Sequence, residues 1–175
     1  YDQANETFKT FLPDSIRAGS NSNRVINITQ DGKNRIWVMT FDGIFSYDKS
    51  KNEIEKAYIK VGENQTAIIG FSLAFLETSS GEIYSNHIFL GVIKFDESLG
   101  LFEVVHVNLD NPELFNQTTL LDFHEDKTGK IWITSVDGFY NYDPHSGSFN
   151  EINLFKKGPS QGFGPNSVCG IYQDD

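Results

Sequence analysis

Short apolar runs alternate with polar turns along the chain, and the runs recur in a fixed order. One repeat opens with an apolar run at residues 25–28, crosses a polar turn and continues with a β-branched and aromatic run at residues 35–40. An Asp-Gly turn leads to a third run at residues 43–47, and a fourth run carries Ile54. Four short runs joined by tight turns predict a four-stranded antiparallel sheet.

The same pattern is written three times at intervals of 47 or 48 residues. NRIWVMTFDGIFSYD begins at Asn34, GKIWITSVDGFYNYD begins at Gly129, and a divergent copy, GEIYSNHIFLGVIKFD, begins at Gly81. The copies share an aromatic residue in the second run, a glycine at the following turn and an aspartate after the third run. These positions are Trp37, Tyr84 and Trp132; Gly43, Gly91 and Gly138; and Asp48, Asp96 and Asp143.

A repeat of this length with four strands is typical of a β-propeller blade. We therefore predict an all-β chain that forms part of a propeller, a single unit over residues 1–175. Complete repeats are expected at about 23–59, 66–107 and 118–154, with the end of a blade at 1–12 and the start of another at 166–175. Since the pattern is cut at both ends, we expect the chain to be a piece of a longer repeat protein.

The recurring residues are first interpreted as structural. A ligand needs one site, whereas packing needs one aromatic residue per blade, so Trp37 and Trp132 are predicted to fill the space between neighbouring blades. A positive φ angle at the turn accounts for Gly43 and Gly138, and a short polar side chain before each glycine suits a turn.

The charge and the composition exclude several functions. The formal net charge of −10 disfavours nucleic acid and anionic membranes, because phosphate binding requires clustered Lys and Arg. One cysteine, Cys169, excludes an internal disulfide framework. The four histidines have no metal-ligand spacing, and there is no nucleophile elbow or phosphate-binding loop. We predict no catalytic residue, no metal and no cofactor.

Two of the copies resemble a known repeat. The segments NITQDGKNRIWVMTFDGIFSYD and LLDFHEDKTGKIWITSVDGFYNYDPHSGSF are similar to the two-component regulator propeller repeat, in which Glu-Asp, Gly-x-Ile/Leu-Trp, Asp-Gly and Tyr-Asp follow in order. The middle copy departs from that pattern, with Thr78 for the aspartate, Tyr84 for the tryptophan and NHIFLG for the Asp-Gly turn.

The resemblance implies a piece of the periplasmic sensor region of a bacterial hybrid two-component protein, as found in Bacteroides. In that family the propellers precede a membrane helix and a histidine kinase that starts a phosphorelay, and the ligands are often oligosaccharides. Related propellers precede diguanylate cyclases. On this basis the expected ligand is an oligosaccharide, and the membrane is reached only through other parts of the parent protein.

A binding site is expected where the inter-blade connections and the turns between second and third strands share one face. An exposed aromatic ring can stack on a sugar ring while amides bind its hydroxyls. The candidates are His87, Phe115, Asn116 and Phe163; the alternative is that the two phenylalanines pack between blades.

Other functions stay open from the sequence. A protein-protein scaffold would show a large exposed apolar patch, and a propeller enzyme acting on carbohydrate would need convergent carboxylates or a metal. Open blade ends would expose strand edges and apolar surface, so we also predict self-association, directly or as part of a dimeric sensor.

Overall fold

The computed structural model of the chain describes residues 5–8, 10, 24–68, 70–105, 119–152 and 168–174. Fourteen strands form three sheets in this part of the chain, and the described residues contain no helix. Consequently no described helix is long and apolar enough to cross a bilayer. The all-β prediction is confirmed.

The first sheet is an antiparallel four-stranded meander in the order β1-β2-β3-β4. Its strands are Val25–Gln30 (β1), Ile36–Thr40 (β2), Gly43–Asp48 (β3) and Glu53–Lys56 (β4). The middle sheet contains six strands. They are Tyr58–Val61 (β5), Asn64–Ala67 (β6), Phe75–Glu77 (β7), Ile83–His87 (β8), Gly91–Asp96 (β9) and Leu101–Val104 (β10).

The third sheet repeats the first, in the order β11-β12-β13-β14. Its strands are Leu120–Glu125 (β11), Ile131–Ser135 (β12), Phe139–Asp143 (β13) and Ser148–Ile152 (β14). The strand pairing is the same at corresponding positions, since Trp37 lies opposite Ser46 and Trp132 opposite Asn141. Both first strands also carry a bulge near their start. The sequence repeat is therefore a structural repeat.

Strands β5 and β6 were not predicted, because residues 60–65 lie between the sequence repeats at 23–59 and 66–107 and were given no strand. They form a hairpin turned at Gly62, whose φ is 62°. The hairpin joins the outer edge of the middle sheet, where β5 runs parallel to β10. Ile59 is fully buried against the first sheet. Burial of the Ile59 side chain stabilises β5, the strand that follows the last strand of the first sheet.

Two apolar cores lie between the three sheets. The core between the first and middle sheets is made of large buried side chains: Trp37, Met39, Ile44, Ile59, Ile68, Ile83, Ile93 and Phe102. The core between the middle and third sheets is made of Ala74, Tyr84, Val92, Leu120, Phe123, Ile131, Ile133, Tyr140, Tyr142 and Phe149. Ile93 and Val92 are adjacent in β9 but belong to different cores. The middle sheet is thus buried on both faces, as expected for stacked blades.

Candidate functional site

The sequence-based binding candidates fall in different parts of the chain. Phe115, Asn116 and Phe163 lie outside the described residues. His87 is described, ends β8 and is only 7% exposed. The site is therefore built from the residues around His87 and from the repeat positions that fix the sheets.

The tryptophan of the first repeat is fixed between two sheets by both apolar and polar contacts. Trp37 packs on Phe75, Phe95 and Phe102 of the middle sheet, with ring centroids 5.8, 5.1 and 5.7 Å away. Its indole N–H donates to Asp31 Oδ2 at 2.9 Å. This placement agrees with a packing role for Trp37.

The same bond recurs in the third sheet, where Trp132 Nε1 donates to Asp126 Oδ2 at 2.6 Å. Burial raises the pKa of Asp126, but hydrogen bonds from Thr128 and Trp132 outweigh it and lower the pKa to about 2. In the first sheet, burial likewise opposes hydrogen bonds from Trp37 and Arg35, and the net pKa of Asp31 is lowered. The aspartate that opens each turn and the tryptophan six residues later act as a pair.

The middle repeat replaces both members of this pair. Thr78 stands where the others have aspartate, and its Oγ1 accepts the Glu82 N–H at 3.0 Å. Tyr84 stands for tryptophan, and its hydroxyl donates to Glu82 Oε2 at 3.2 Å. Both replacement side chains keep hydrogen-bond partners, so this departure from the repeat is compensated. The sequence shows that the aspartate and the tryptophan are replaced together, but it does not show the hydrogen bond that joins them in the other two sheets.

The closing aspartates share one structural role. The Oδ1 atom of each accepts backbone N–H groups two and three residues further on, at 2.7–3.3 Å; the aspartates are Asp48, Asp96 and Asp143. For Asp48, hydrogen bonds from the Ser50 side chain and backbone lower the pKa to about 2. These carboxylates close the turn after the third strand and accept bonds from their own turn.

The turn glycines are required for two different reasons. Gly43 has a φ of 136°, and a Cβ there would lie 2.1 Å from the Ile68 carbonyl oxygen. Gly91 has a φ of 73°. Gly138 does not have a positive φ, so the sequence-based explanation is wrong at this position. A Cβ at Gly138 would instead lie 2.7 Å from the Tyr140 hydroxyl oxygen, so a larger residue would have to displace the buried Tyr140 ring.

A carboxylate at the end of the first strand ties each sheet to the preceding one. Glu77 accepts the Gly32 N–H on Oε1 and Oε2 at 3.0 and 2.8 Å. Glu125 accepts the Ser79 N–H at 2.5 Å and the Ser79 hydroxyl at 3.0 Å. The two bonds are equivalent by repeat position, so a glutamate here fixes the spacing of neighbouring blades.

The last residue of the second strand closes the next turn in the first and third sheets. Thr40 Oγ1 accepts the N–H two residues on at 3.1 Å and donates to the carbonyl of the turn glycine at 3.0 Å. Ser135 Oγ makes the same two bonds at 3.1 and 2.9 Å. Each hydroxyl thus uses its own proton inside the turn.

His87 occupies this position in the middle sheet. Its Nδ1 accepts the Phe89 N–H at 3.2 Å, which places the proton of the neutral ring on Nε2. Burial lowers the pKa of His87, so the ring is neutral at pH 7. Among the described residues nothing accepts the Nε2 proton, and Nε2 is not a fully buried atom. His87 therefore keeps the backbone bond and presents a spare donor.

Exposed rings lie on the edge of the sheets that carries the turns after the second strands, here called the upper face. Phe89 is 65% exposed, with its ring centroid 6.1 Å from that of His87. Phe41, at the corresponding turn of the first sheet, is 46% exposed and lies 6.3 Å from Phe71. A Cβ on Gly70 would lie 2.6 Å from Ile88, so the chain beside Phe71 packs against the His87 turn.

A buried amide holds that connection in place. Asn86 is 2% exposed, and its Oδ1 accepts the N–H groups of Leu73 and Ala74, both at 2.9 Å. The Ser72 and Ser85 hydroxyls lie 2.8 Å apart beside it. These bonds replace strand pairing for residues 72–74 and fix the backbone next to His87.

Two grooves between the sheets were considered as alternative sites. The larger, of about 870 Å³, lies between the first and middle sheets beside Arg35. The Arg35 guanidinium is already bonded to Asp31 and Glu97, and it lies 5.3 Å from the Trp37 ring centroid. The smaller groove, of about 630 Å³, carries the ion pair of Lys94 and Glu82. In both grooves these charged side chains form ion pairs with other residues of the chain.

Catalytic or metal-binding clusters were sought in the same residues. Across the described part of the chain, no three His, Cys, Asp or Glu side chains come together as a metal site would require. His124 Nε2 is the one buried side-chain polar atom without a hydrogen-bond partner there. The upper face around His87 is taken as the candidate site because it places a side-chain donor beside an exposed aromatic ring.

Comparison with known proteins gives matches to solved structures. No family model and no curated protein matches the chain. The extracellular domain of the hybrid two-component system BT4673 from B. thetaiotaomicron matches with a TM-score of 0.65 at 19% identity, covering 89% of this chain and 20% of that chain. The corresponding domain of BT3049 matches with a TM-score of 0.51 at 16% identity, covering 73% and 16%.

An enzyme of the same architecture also matches. Virginiamycin B lyase from Staphylococcus aureus has a TM-score of 0.56 at 16% identity, covering 77% of this chain and 42% of that one. Together these matches confirm a propeller-like fold. The chain spans about a fifth of the length of the BT4673 domain.

Proposed function

We propose that the chain is a ligand-sensing module in the extracytoplasmic, periplasmic part of a two-component sensor, with the kinase output in another part of the same protein. The observation that carries this proposal is the structural match to the extracellular domain of BT4673 over 89% of the chain. The tryptophan and aspartate positions of the two-component regulator propeller repeat support it, since the structure pairs them by a hydrogen bond.

The proposed ligand is a neutral oligosaccharide. The upper face presents the exposed rings of Phe41 and Phe89 and a neutral imidazole donor at His87. Rings and uncharged donors suit the C–H faces and hydroxyls of a sugar. A net charge of −10 disfavours an anionic ligand.

The reading frame that encodes the chain tests the signalling function. It is expected to encode a membrane helix and a histidine kinase, with the propeller on the periplasmic side in a protease-protection assay. If the frame encodes a diguanylate cyclase instead of a kinase, the output is that of a cyclase and the kinase assignment is wrong. A frame with neither a membrane helix nor an output domain would refute the sensor proposal.

We also propose that the isolated chain associates with a second copy. The first sheet leaves Ile28 60% exposed, at the position that Phe123 occupies inside the core of the third sheet. The internal interfaces show that such a face is covered by a neighbouring blade. Light scattering across a concentration series should show a dimer or larger species, and a constant monomer mass would contradict this proposal.

A further inference from the structure

The middle repeat departs from its neighbours at the turn that follows the second strand. His87 and Gly91 are paired, with three residues between them, whereas the paired Thr40 and Gly43 enclose two. Ser135 likewise pairs with Gly138 across two residues. The additional residue gives a turn in which Phe89 is 65% exposed. The middle turn is thus longer and presents an aromatic ring.

The same turn replaces a satisfied hydroxyl with an unsatisfied donor. Thr40 and Ser135 donate their protons to the carbonyl of the turn glycine. His87 Nδ1 accepts the Phe89 N–H as those hydroxyls accept theirs, but His87 Nε2 donates to no described residue. Serine and threonine close the shorter turns of the neighbouring sheets with both bonds made. In the longer middle turn the Nε2 donor of His87 is available to an acceptor outside the chain, which is either water or a ligand.

The donor and the ring form a single surface. The His87 and Phe89 ring centroids are 6.1 Å apart, with their planes inclined by 57°. The backbone beneath is fixed, because Gly70 packs on Ile88 and Asn86 holds the adjoining connection. A rigid aromatic ring beside a fixed donor loses little conformational entropy when a ligand binds.

We propose that His87 and Phe89 form a contact site for one sugar ring of an oligosaccharide, with Phe89 stacked on its C–H face and His87 Nε2 donating to a hydroxyl. The proposal rests on the proposed saccharide-sensing function and assigns it to this turn. Phe41 and Phe71, on the same upper face, provide a second ring surface towards the first sheet.

The experiment uses two variants of the whole chain, His87→Ser and Phe89→Ala. His87→Ser installs the residue that ends the equivalent second strand at Ser135, and circular dichroism with the urea midpoint establishes that each variant is folded before it is titrated. Maltohexaose, cellohexaose and xylohexaose are titrated separately and followed by calorimetry and by the imidazole NMR signals. Val136→Ala, at the equivalent turn of the third sheet, serves as the control.

At least one of the three oligosaccharides is expected to bind the wild-type chain and to shift the His87 imidazole signals. Each variant should weaken that binding by about tenfold, which is the usual contribution of one hydrogen bond or one aromatic contact. Val136→Ala should bind as the wild type does.

Two results would overturn the proposal, and they differ in what they imply. If an oligosaccharide binds and both variants retain wild-type affinity, the site is elsewhere while saccharide sensing stands. If none of the three binds the wild type at millimolar concentration, both the site and the saccharide ligand are refuted. The signalling function is then decided separately by the parent reading frame.

Discussion

The aspartate–tryptophan pair of the first sheet can be tested by a double-mutant cycle. Asp31→Thr and Trp37→Tyr introduce the residues that the middle sheet has in Thr78 and Tyr84, although Arg35 stands where the middle sheet has Glu82. If the hydrogen bond between Asp31 and Trp37 is what joins these positions, the double variant should be less destabilised than the sum of the single variants.

The magnitude follows from the contacts. Asp31 accepts four hydrogen bonds: from the backbone N–H groups of Lys33 and Arg35, from Arg35 Nε and from Trp37 Nε1, at 2.6–3.0 Å. Threonine can retain the turn bonds, as Thr78 does, but it leaves the indole N–H without a carboxylate acceptor in a site that is 2% exposed. Hydrogen bonds to charged groups contribute about 1.5–3 kcal/mol, so a coupling free energy of about 2 kcal/mol is expected.

Urea unfolding of the wild type, the single variants and the double variant measures the coupling. Far-UV circular dichroism and the fluorescence of the tryptophan that each variant retains should give coincident transitions, which is the condition for using a two-state free energy. The control cycle combines Asp31→Thr with Trp132→Tyr. Trp132 is bonded to Asp126 and not to Asp31, so these two substitutions should be additive within about 0.5 kcal/mol.

Additivity of Asp31→Thr and Trp37→Tyr would refute the explanation, because the shared bond would then contribute nothing to stability. An equal coupling in the control cycle would also refute it. In that case the non-additivity would reflect a general loss of cooperativity among the sheets.

Three further predictions concern stability. Gly43→Ala should lower the free energy of unfolding in urea by about 3 kcal/mol or more, because the φ of Gly43 is 136° and the new Cβ meets a backbone oxygen. Gly100→Ala is the control and should cost about 1 kcal/mol, since Gly100 has a φ of 67° and open space around it. Equal losses in the two variants would contradict this explanation. Glu125→Ala should lower the free energy of unfolding by about 1 kcal/mol, because it removes the hydrogen bonds to the preceding sheet. Glu63→Ala, in an exposed turn, is the control and should lower the urea midpoint less. The reverse order would count against the inter-sheet role of Glu125. The pKa of Asp126 is about 2 in the folded chain and 3.8 ordinarily, so its contribution to the free energy of unfolding is present above about pH 4 and is lost as the pH falls towards 2. The urea midpoint of Asp126→Asn should therefore decline less between about pH 4 and pH 2 than that of the wild type. An unchanged decline would exclude Asp126 as its source.

The repeat made the fold predictable from the sequence. Three copies of the same pattern give the strand order and the turns, and the sheets follow these expectations. The predicted packing between blades is seen for Trp37, whereas Trp132 is half-buried and stacks on Phe139 of its own sheet. The hairpin of β5 and β6 was missed because it occurs once and so has no second copy to reveal it. Its signal was the alternation of Ile59 and Val61 followed by Gly62, at which the chain reverses.

The candidate site was predictable only in part. His87 was selected because it breaks the repeat, but its bond to the Phe89 backbone depends on side-chain geometry that one sequence does not contain. Phe89 was not selected, although the longer turn in NHIFLG was visible. An exposed ring cannot be distinguished from a packed one without the neighbouring sheet. Phe115, Asn116 and Phe163 lie outside the described residues and stay predictions.

The repeat also separates structural departures from functional ones. A substitution that keeps its hydrogen bonds satisfied needs no ligand to explain it, and Thr78 and Tyr84 are of this kind because both bond to Glu82. A substitution that leaves a donor unused within the fold but accessible from outside makes that donor available to a ligand. His87 is of the second kind, and it lies beside an exposed ring. In a protein built from copies of one unit, the uncompensated difference between copies is the place to look for function.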